Sequence, residues 1–394
     1  LSDDGSGGGF LAFVSGIGVG IGFGVVVTSI PHSMVYTVES IGHRLLSINS
    51  FTDSPMEQVN LYVSLFDEIV ANVNKNLYDV YDVFVRNMVS GRVNVVVARM
   101  TFEKVISKLR RISDVIAIDL CEITLERLPR MYIFDEHIGD LIQLIATIVE
   151  RNGFAREAAA TLATLPFNKV SSYNTVPFRF DMYVKIARLF MEADDVGQAE
   201  TYIKRAAKLL PKITVEKSKI SYRMYYGRIL ERRYQFAEAA KHYIDLSSIP
   251  HVSTPVLQRA IVCTILAPVC QERSILLAQL HQDKRVKNLL AYDIIEKMHL
   301  AIVVKRAELQ QFESLLQEHH KAIATDGISV FDRAIIEHNV MAYDKVYGII
   351  SYEALAAISG TSTDVTELVG SKMIAEGRLE GHVGKSLQLT NENQ

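Results

Sequence analysis

The run SVFDRAIIEHNVMAYDKVYGIISYEALAAISGTSTDVTELVGSKMIAEGRLEGHVGKSLQLT, Ser329 to Thr390, decides the fold. Apolar residues recur at helical spacing through SVFDRAIIEHNVMAYDKVYG, again in ISYEALAAISG, and again in TDVTELVGSKMIAEGRLEGHV. The end, KSLQLT, alternates as a strand does. Three short helices followed by two short strands is the order of a winged helix. The helix that would face DNA is Thr363 to Ala375, which exposes Asp364, Glu367 and Lys372, with Glu376 and Arg378 beyond. A helix that reads the major groove carries basic and amide side chains toward base edges. This one does not, so the module is expected to bind protein rather than nucleic acid.

Upstream of the module the pattern is helical. Val59, Val63, Phe66 and Val70 recur at three- and four-residue steps from Met56 onward. Three segments share one layout: ERNGFAREAAATLATL from Glu150, MEADDVGQAETYIKRAAKLL from Met191 and ERRYQFAEAAKHYIDL from Glu231. Each reads as a helix end, a short polar turn and a second helix, with Ala158, Ala199 and Ala239 in register about 40 residues apart. Val196 and Phe236, just before those alanines, are placed to wedge between neighbours. This is the repeat of a TPR/HEAT-like solenoid. Further helices are expected at Val256 to Ala267, Ser274 to Leu280, Arg285 to His299 and Leu309 to His319. VNVVVARM, Val93 to Met100, fits strand or helix, with Thr101 as a helix N-cap after it. The expected organisation is a Gly-rich apolar segment over 1–50, a helical-repeat array over 51–325 and the winged helix over 326–394. The fold class is mainly α.

Composition sets the remaining bounds. The 394 residues carry a formal charge of -3 and 49% apolar residues, a globular mix without bias toward nucleic acid or membrane. Cys121, Cys263 and Cys270 lie in apolar helical contexts and read as free thiols of a reducing compartment. Phe10 to Ile30 is uncharged and long enough to span a bilayer. Its glycines at every second position each weaken a helix by about 1 kcal/mol, and Asp3 and Asp4 replace the basic cluster of a signal peptide. A membrane partner is therefore not expected.

Catalytic patterns resolve into decoys. GRLEGHVGKS imitates a phosphate loop, but the first glycine of that motif falls on Leu379 and the loop would feed a strand instead of a helix. His319–His320 and Asp135-Glu136-His137 offer metal-ligating types, yet helix neighbours point in different directions, so both read as solvated faces. No HExxH, no G-x-S-x-G and no zinc-isopeptidase arrangement occurs. No enzyme, cofactor or metal is expected. Ten basic residues lie between Tyr202 and Arg233, with Lys217, Lys219, Arg223, Arg228, Arg232 and Arg233 forming a basic ridge around Tyr222, Tyr225 and Tyr226. This is a solvated solenoid rim or a docking site, and as a site it suits an acidic protein surface better than RNA.

DGISVFDRAIIEHNVMAYDKVYGIISYEALAAISG with SKMIAEGRLEG resembles the PCI domain of the COP9 signalosome subunit 4 family. The likeness runs from about Phe134 to Gly381, and CTILA at Cys263, AYDIIEKM at Ala291 and DRAIIEHN at Asp332 look like that family rather than its proteasome-lid paralogue. The resemblance implies a non-catalytic scaffold in cytoplasm and nucleus. Its partners would be PCI and metalloprotease-type signalosome subunits and the cullin–RING ligases from which the complex removes NEDD8. Winged helices of the family line up edge to edge. By analogy the ring contact here would use Ile350, Tyr352, Leu355, Ala356, Met373, Ile374, Leu379 and Val383, through strand edges and apolar side chains. The helical arm would reach the substrate. A start at Leu1 is what a fragment or an imperfect gene model would show, and an end at Gln394, before the family's long C-terminal helix, implies weaker anchoring if it is the true end.

Overall fold

The computed structural model describes residues 37–50, 54–71, 76–129, 132–167, 175–249, 253–345, 349–379, 381–383 and 386–389. The apolar stretch Phe10 to Ile30 lies outside them; among the described residues no helix is long and apolar enough to cross a membrane. The chain divides into two compact units, Leu1–Thr101 and Phe102–Gln394.

The first unit holds α1 Val38–Asn49, α2 Pro55–Ala71, α3 Leu77–Val89 and the start of α4 Val95–Leu109. Its core is aromatic. Tyr62, Phe66, Tyr81 and Phe84 are all at most 1% exposed, with ring centroids 6.0–6.4 Å apart. The ambiguous valine run resolves as helix: the Val96 N–H donates to Asn94 Oδ1 at 2.9 Å. Thr101 therefore stands within the helix rather than at its cap, its hydroxyl donating to the Val97 carbonyl at 2.8 Å. Burial of Val97 and Ala98 on one face outweighs the β preference of the valines.

The second unit continues with α5 Asp114–Arg127, α6 Asp135–Arg151, α7 Ala155–Ala163, α8 Val176–Glu192, α9 Val196–Ala207, α10 Glu216–Arg232 and α11 Phe236–Ser247. The repeat has a backbone signature. Gly153, Asp194 and Tyr234, in register with one another, each adopt positive φ (89°, 58° and 59°). At each, the next N–H reaches back to the last turn: Phe154 to Val149, Asp195 to Phe190 and Gln235 to Leu230, at 2.8–3.1 Å. This left-handed C-cap ends the first helix of a pair and turns the chain into the second. The aligned alanines are fully buried, and Phe236 is buried while Val196 is half-buried.

Beyond α11 come α12 Ser253–Leu266, α13 Gln271–Gln282 and α14 Tyr292–His299. The helix expected from Arg285 is broken: a tight turn, Val286–Asn288, precedes α14, because Asp283 accepts the Arg285 N–H at 2.9 Å and Val286 is buried. The helix expected from Leu309 is likewise replaced by turns Arg306–Leu309 and Glu318–Lys321 around the four-residue α15 Gln310–Glu313. That path sinks Leu309, Phe312 and Leu316 into the core shared by α11 to α14.

The C-terminal module is a winged helix with one strand more than expected: α16 Val330–Asp344, β1 Ile349–Ser351, α17 Tyr352–Ser359, α18 Thr363–Ala375, β2 Gly381–Val383 and β3 Ser386–Leu389. Serine caps start all three helices, Ser329, Ser351 and Ser362 accepting from Asp332, Ala354 and Val365 at 2.9–3.4 Å. The sheet order is β1-β3-β2, fully antiparallel. Helix α16 is shared by two cores. Phe331, Ala334 and Ile335 join the array's core, while Ile336 and Val340 join Tyr352, Leu355, Val369, Met373 and Leu379. All three cysteines are free.

Candidate functional site

The expected docking residues of the winged helix divide sharply. Tyr352, Leu355, Ala356, Met373 and Leu379 are at most 5% exposed, and all but Ala356 belong to the module's own core. Ile374 is half-buried against that core. Their apolarity is spent on folding the module, so a partner cannot use these side chains without opening it. Ile350 and Val383 lie on β1 and β2, which flank the central β3. Each flanking strand pairs on one side with β3, so among the described residues the second side of each is a backbone edge of three residues.

The run Glu337-His338-Asn339 locks this module to the array. Arg378 grips Glu337 with two bonds, 2.6 and 2.9 Å, and the Val269 N–H donates to the same carboxylate at 3.3 Å. The Glu337 side chain is 4% exposed, and its hydrogen bonds raise the pKa of Arg378 despite burial. Asn339 accepts the Val304 N–H at 2.9 Å and donates to the Val304 carbonyl and Ser359 Oγ at 3.0 and 3.1 Å. His338 Nε2 bonds the Ile302 carbonyl at 2.9 Å; burial first, and then the Arg273 charge, push its pKa down to about 4. Arg273, 2% exposed, donates to the Thr264 and Ile265 carbonyls near the end of α12. Arg378 is therefore a structural tie, not part of an exposed recognition face.

The basic ridge also divides. Lys217, Arg223 and Arg233 are exposed, while Lys219, Arg228 and Arg232 are half-buried. Lys219 pairs with Glu216 at 2.8 Å and Arg233 with Glu200. Tyr222 is buried between Phe180 and Tyr226, so it packs the array instead of offering a stacking platform. Arg228 and Arg232 turn into a cavity of about 180 Å³, where they meet Arg188 from α8, Arg259 from α12 and His319 from the 318–321 turn.

On the wall of that cavity sits Glu231, 2% exposed. One of its oxygens accepts from Tyr243 at 2.8 Å and Arg259 at 3.0 Å; the other accepts from His320 Nε2 at 2.8 Å and stands 3.5 Å from His319 Nε2. Burial alone would raise the Glu231 pKa, but the two imidazoles and the guanidinium outweigh it and hold the carboxyl well below the usual range. Burial lowers the His320 pKa, only partly opposed by Glu231. The sequence reading of His319–His320 as a solvated face is thus overturned: the side chains are 9% and 2% exposed. They sit in a tight turn, and both rings face one carboxylate. Asp135 and His137, also read as solvated, are 0% and 5% exposed at the start of α6. Ligand atoms of Glu231, His319 and His320 come within 4.8 Å of one another. The donor set does not suit a metal. His320 Nδ1 accepts the Gln317 N–H at 3.1 Å, which leaves the proton on Nε2, facing Glu231.

A family model described as "PSMD12/CSN4, N-terminal" matches residues 42–254. COP9 signalosome complex subunit 4 of Drosophila melanogaster is 36% identical over 345 residues, 86% of this chain and 85% of the relative. Its counterpart in Dictyostelium discoideum is 32% identical over 76% of this chain and 78% of its own. The chain belongs to the COP9 signalosome subunit 4 family. Within that family assignment, the resemblance noted in the sequence holds, and the described fold has the helical array and winged helix it implied. What sequence reasoning missed is the set of buried charges, Glu231, Glu337, Arg273 and the two histidines. The one available signal was a charged or imidazole residue at a position the helical period assigns to the core: Glu231 beside Ile229 and Leu230, and Glu337 beside Ile335 and Ile336.

Proposed function

We propose that this chain is a non-catalytic scaffold subunit of the COP9 signalosome, supporting the removal of NEDD8 from cullin–RING ligases in cytoplasm and nucleus. The observation that carries this reading is similarity to signalosome subunit 4 across 86% of the chain, from the helical array into the winged helix. Its partners are the other signalosome subunits, of PCI and metalloprotease type. Because most apolar residues of the module face its own core, docking in this reading runs through the backbone edges of β1 and β2 and adds strand to strand. The helical arm built from α1 onward reaches the cullin–RING substrate.

Affinity purification of the endogenous protein, with mass spectrometry of what accompanies it, tests the proposal. Recovery of the metalloprotease subunit and cullins is the expected result. The matching family model also names a proteasome-lid relative, so co-purification with proteasomal ATPases would move the chain to the lid. Recovery of the protein alone would sink both readings.

A further inference from the structure

We propose that the cavity between α8, α10, α12 and the 317–319 turn is a binding site for a phosphate-type oxyanion, free or as a phosphomonoester of a small molecule. The cavity holds about 180 Å³, well above the roughly 10–15 Å³ a single water needs. Its walls carry Arg188, Arg228, Arg232, Arg259 and His319, against Glu192 and Glu231.

Most of this charge is already matched. Arg188 pairs with Glu150 and Glu192, Arg259 with Glu231, and Arg232 with Asp194 at 2.8 Å. Asp194 is 72% exposed, so solvent screens that last pair heavily. Two donors remain. The Arg228 Nε is buried without a hydrogen-bond partner, and its guanidinium only rests over the Tyr225 ring at 5.5 Å. The His319 Nε2 is also buried without a hydrogen bond of good geometry; it stands 3.5 Å from a Glu231 oxygen, on a side chain 9% exposed. Leaving such donors unpaired costs free energy that a ligand recovers. The end of α10 explains Arg232 in the lining, since cations favour helix C-termini. It does not explain the two idle nitrogens.

The geometry favours phosphate over carboxylate. A planar carboxylate is satisfied by one fork, whereas Arg228 on α10 and His319 on the 318–321 turn line the cavity from separate elements, which suits the several faces of a tetrahedral anion. The charge left over is that of Arg228, enough for one anionic group. No covalent step is involved.

Titration calorimetry of the full chain with inorganic phosphate, at ionic strength held constant with chloride, tests this. Saturable binding is expected, weakened roughly ten-fold or more by Arg228→Met and less by His319→Gln. Arg228→Lys, which keeps the charge but loses the fork, should fall between. Circular dichroism and urea unfolding of each variant separate lost binding from lost fold. Glycerol phosphate as a second probe distinguishes the sources: tighter binding than phosphate assigns a phosphomonoester, weaker binding assigns the free ion. No response beyond chloride, or wild-type affinity in both Arg228→Met and His319→Gln, would overturn the proposal. So would binding of a glutamate-rich peptide without any response to phosphate.

Discussion

The winged helix and the Glu231 cavity both bury charge, and they bury it in opposite ways. In the module, Glu337, Arg378 and Asn339 have every visible obligation met by groups from neighbouring elements. Around Glu231 the carboxylate is saturated, yet the Arg228 Nε and the His319 Nε2 are buried without a hydrogen-bond partner among the described residues, the latter 3.5 Å from Glu231. A closed network fixes the relation of α16 to the turn between α18 and β2 and to the α12–α13 connection. An open one leaves donors for something else. Buried charge is therefore not one signal: its meaning depends on whether the last donor has a partner.

Breaking the closed network should have the largest effect. Arg378→Met leaves the Glu337 carboxylate buried with one weak N–H, and should cost about 3 kcal/mol or more. Urea unfolding followed by a probe in the winged helix measures this, and a loss under about 1 kcal/mol would show that the tie is ornamental.

Acid tests the same network through His338. Its pKa in the fold, about 4, lies below the value of 6.5 that an unburied histidine has, so the unfolded chain takes up the proton first. Stability is then full above pH 6.5 and falls as pH drops from 6.5 to about 4, by up to about 3 kcal/mol. The shift of His320 has the same sign and adds to it. Thermal unfolding across that range should show the decline, and His338→Gln should flatten part of it.

A smaller effect is expected at the open network. A Cβ on Gly227 would come within 2.7 Å of the Tyr243 ring, whose hydroxyl bonds Glu231. Gly227→Ala should therefore cost about 1–3 kcal/mol despite the helical preference for alanine. Tyr243→Phe as background sharpens the point: if the clash is with the ring, removing the hydroxyl does not rescue it.

Much of the architecture was readable before any coordinates. The alanines at Ala158, Ala199 and Ala239 marked the repeat, since only small residues pack where helices approach so closely. What failed was local. The stretches after Arg285 and Leu309 have helical spacing but form turns, because burying Val286, Leu309 and Phe312 in a shared core was worth more than continuing a helix. Tyr234 gave no turn signal, as tyrosine rarely takes positive φ; the neighbouring repeats impose it.

The sequence by itself determined the winged helix, the repeat and the family, because these rest on periodicity, spacing and identity of residues along one chain. Only the tertiary structure decided which apolar residues of the module face inward and which arginines of the ridge converge. It also decided that two histidines read as solvated close over one buried carboxylate. Those facts depend on groups far apart in the chain, as His320 and Glu231 are, 89 residues apart and 2.8 Å from one another. No local pattern encodes such a meeting; packing of the separate helices into one core does.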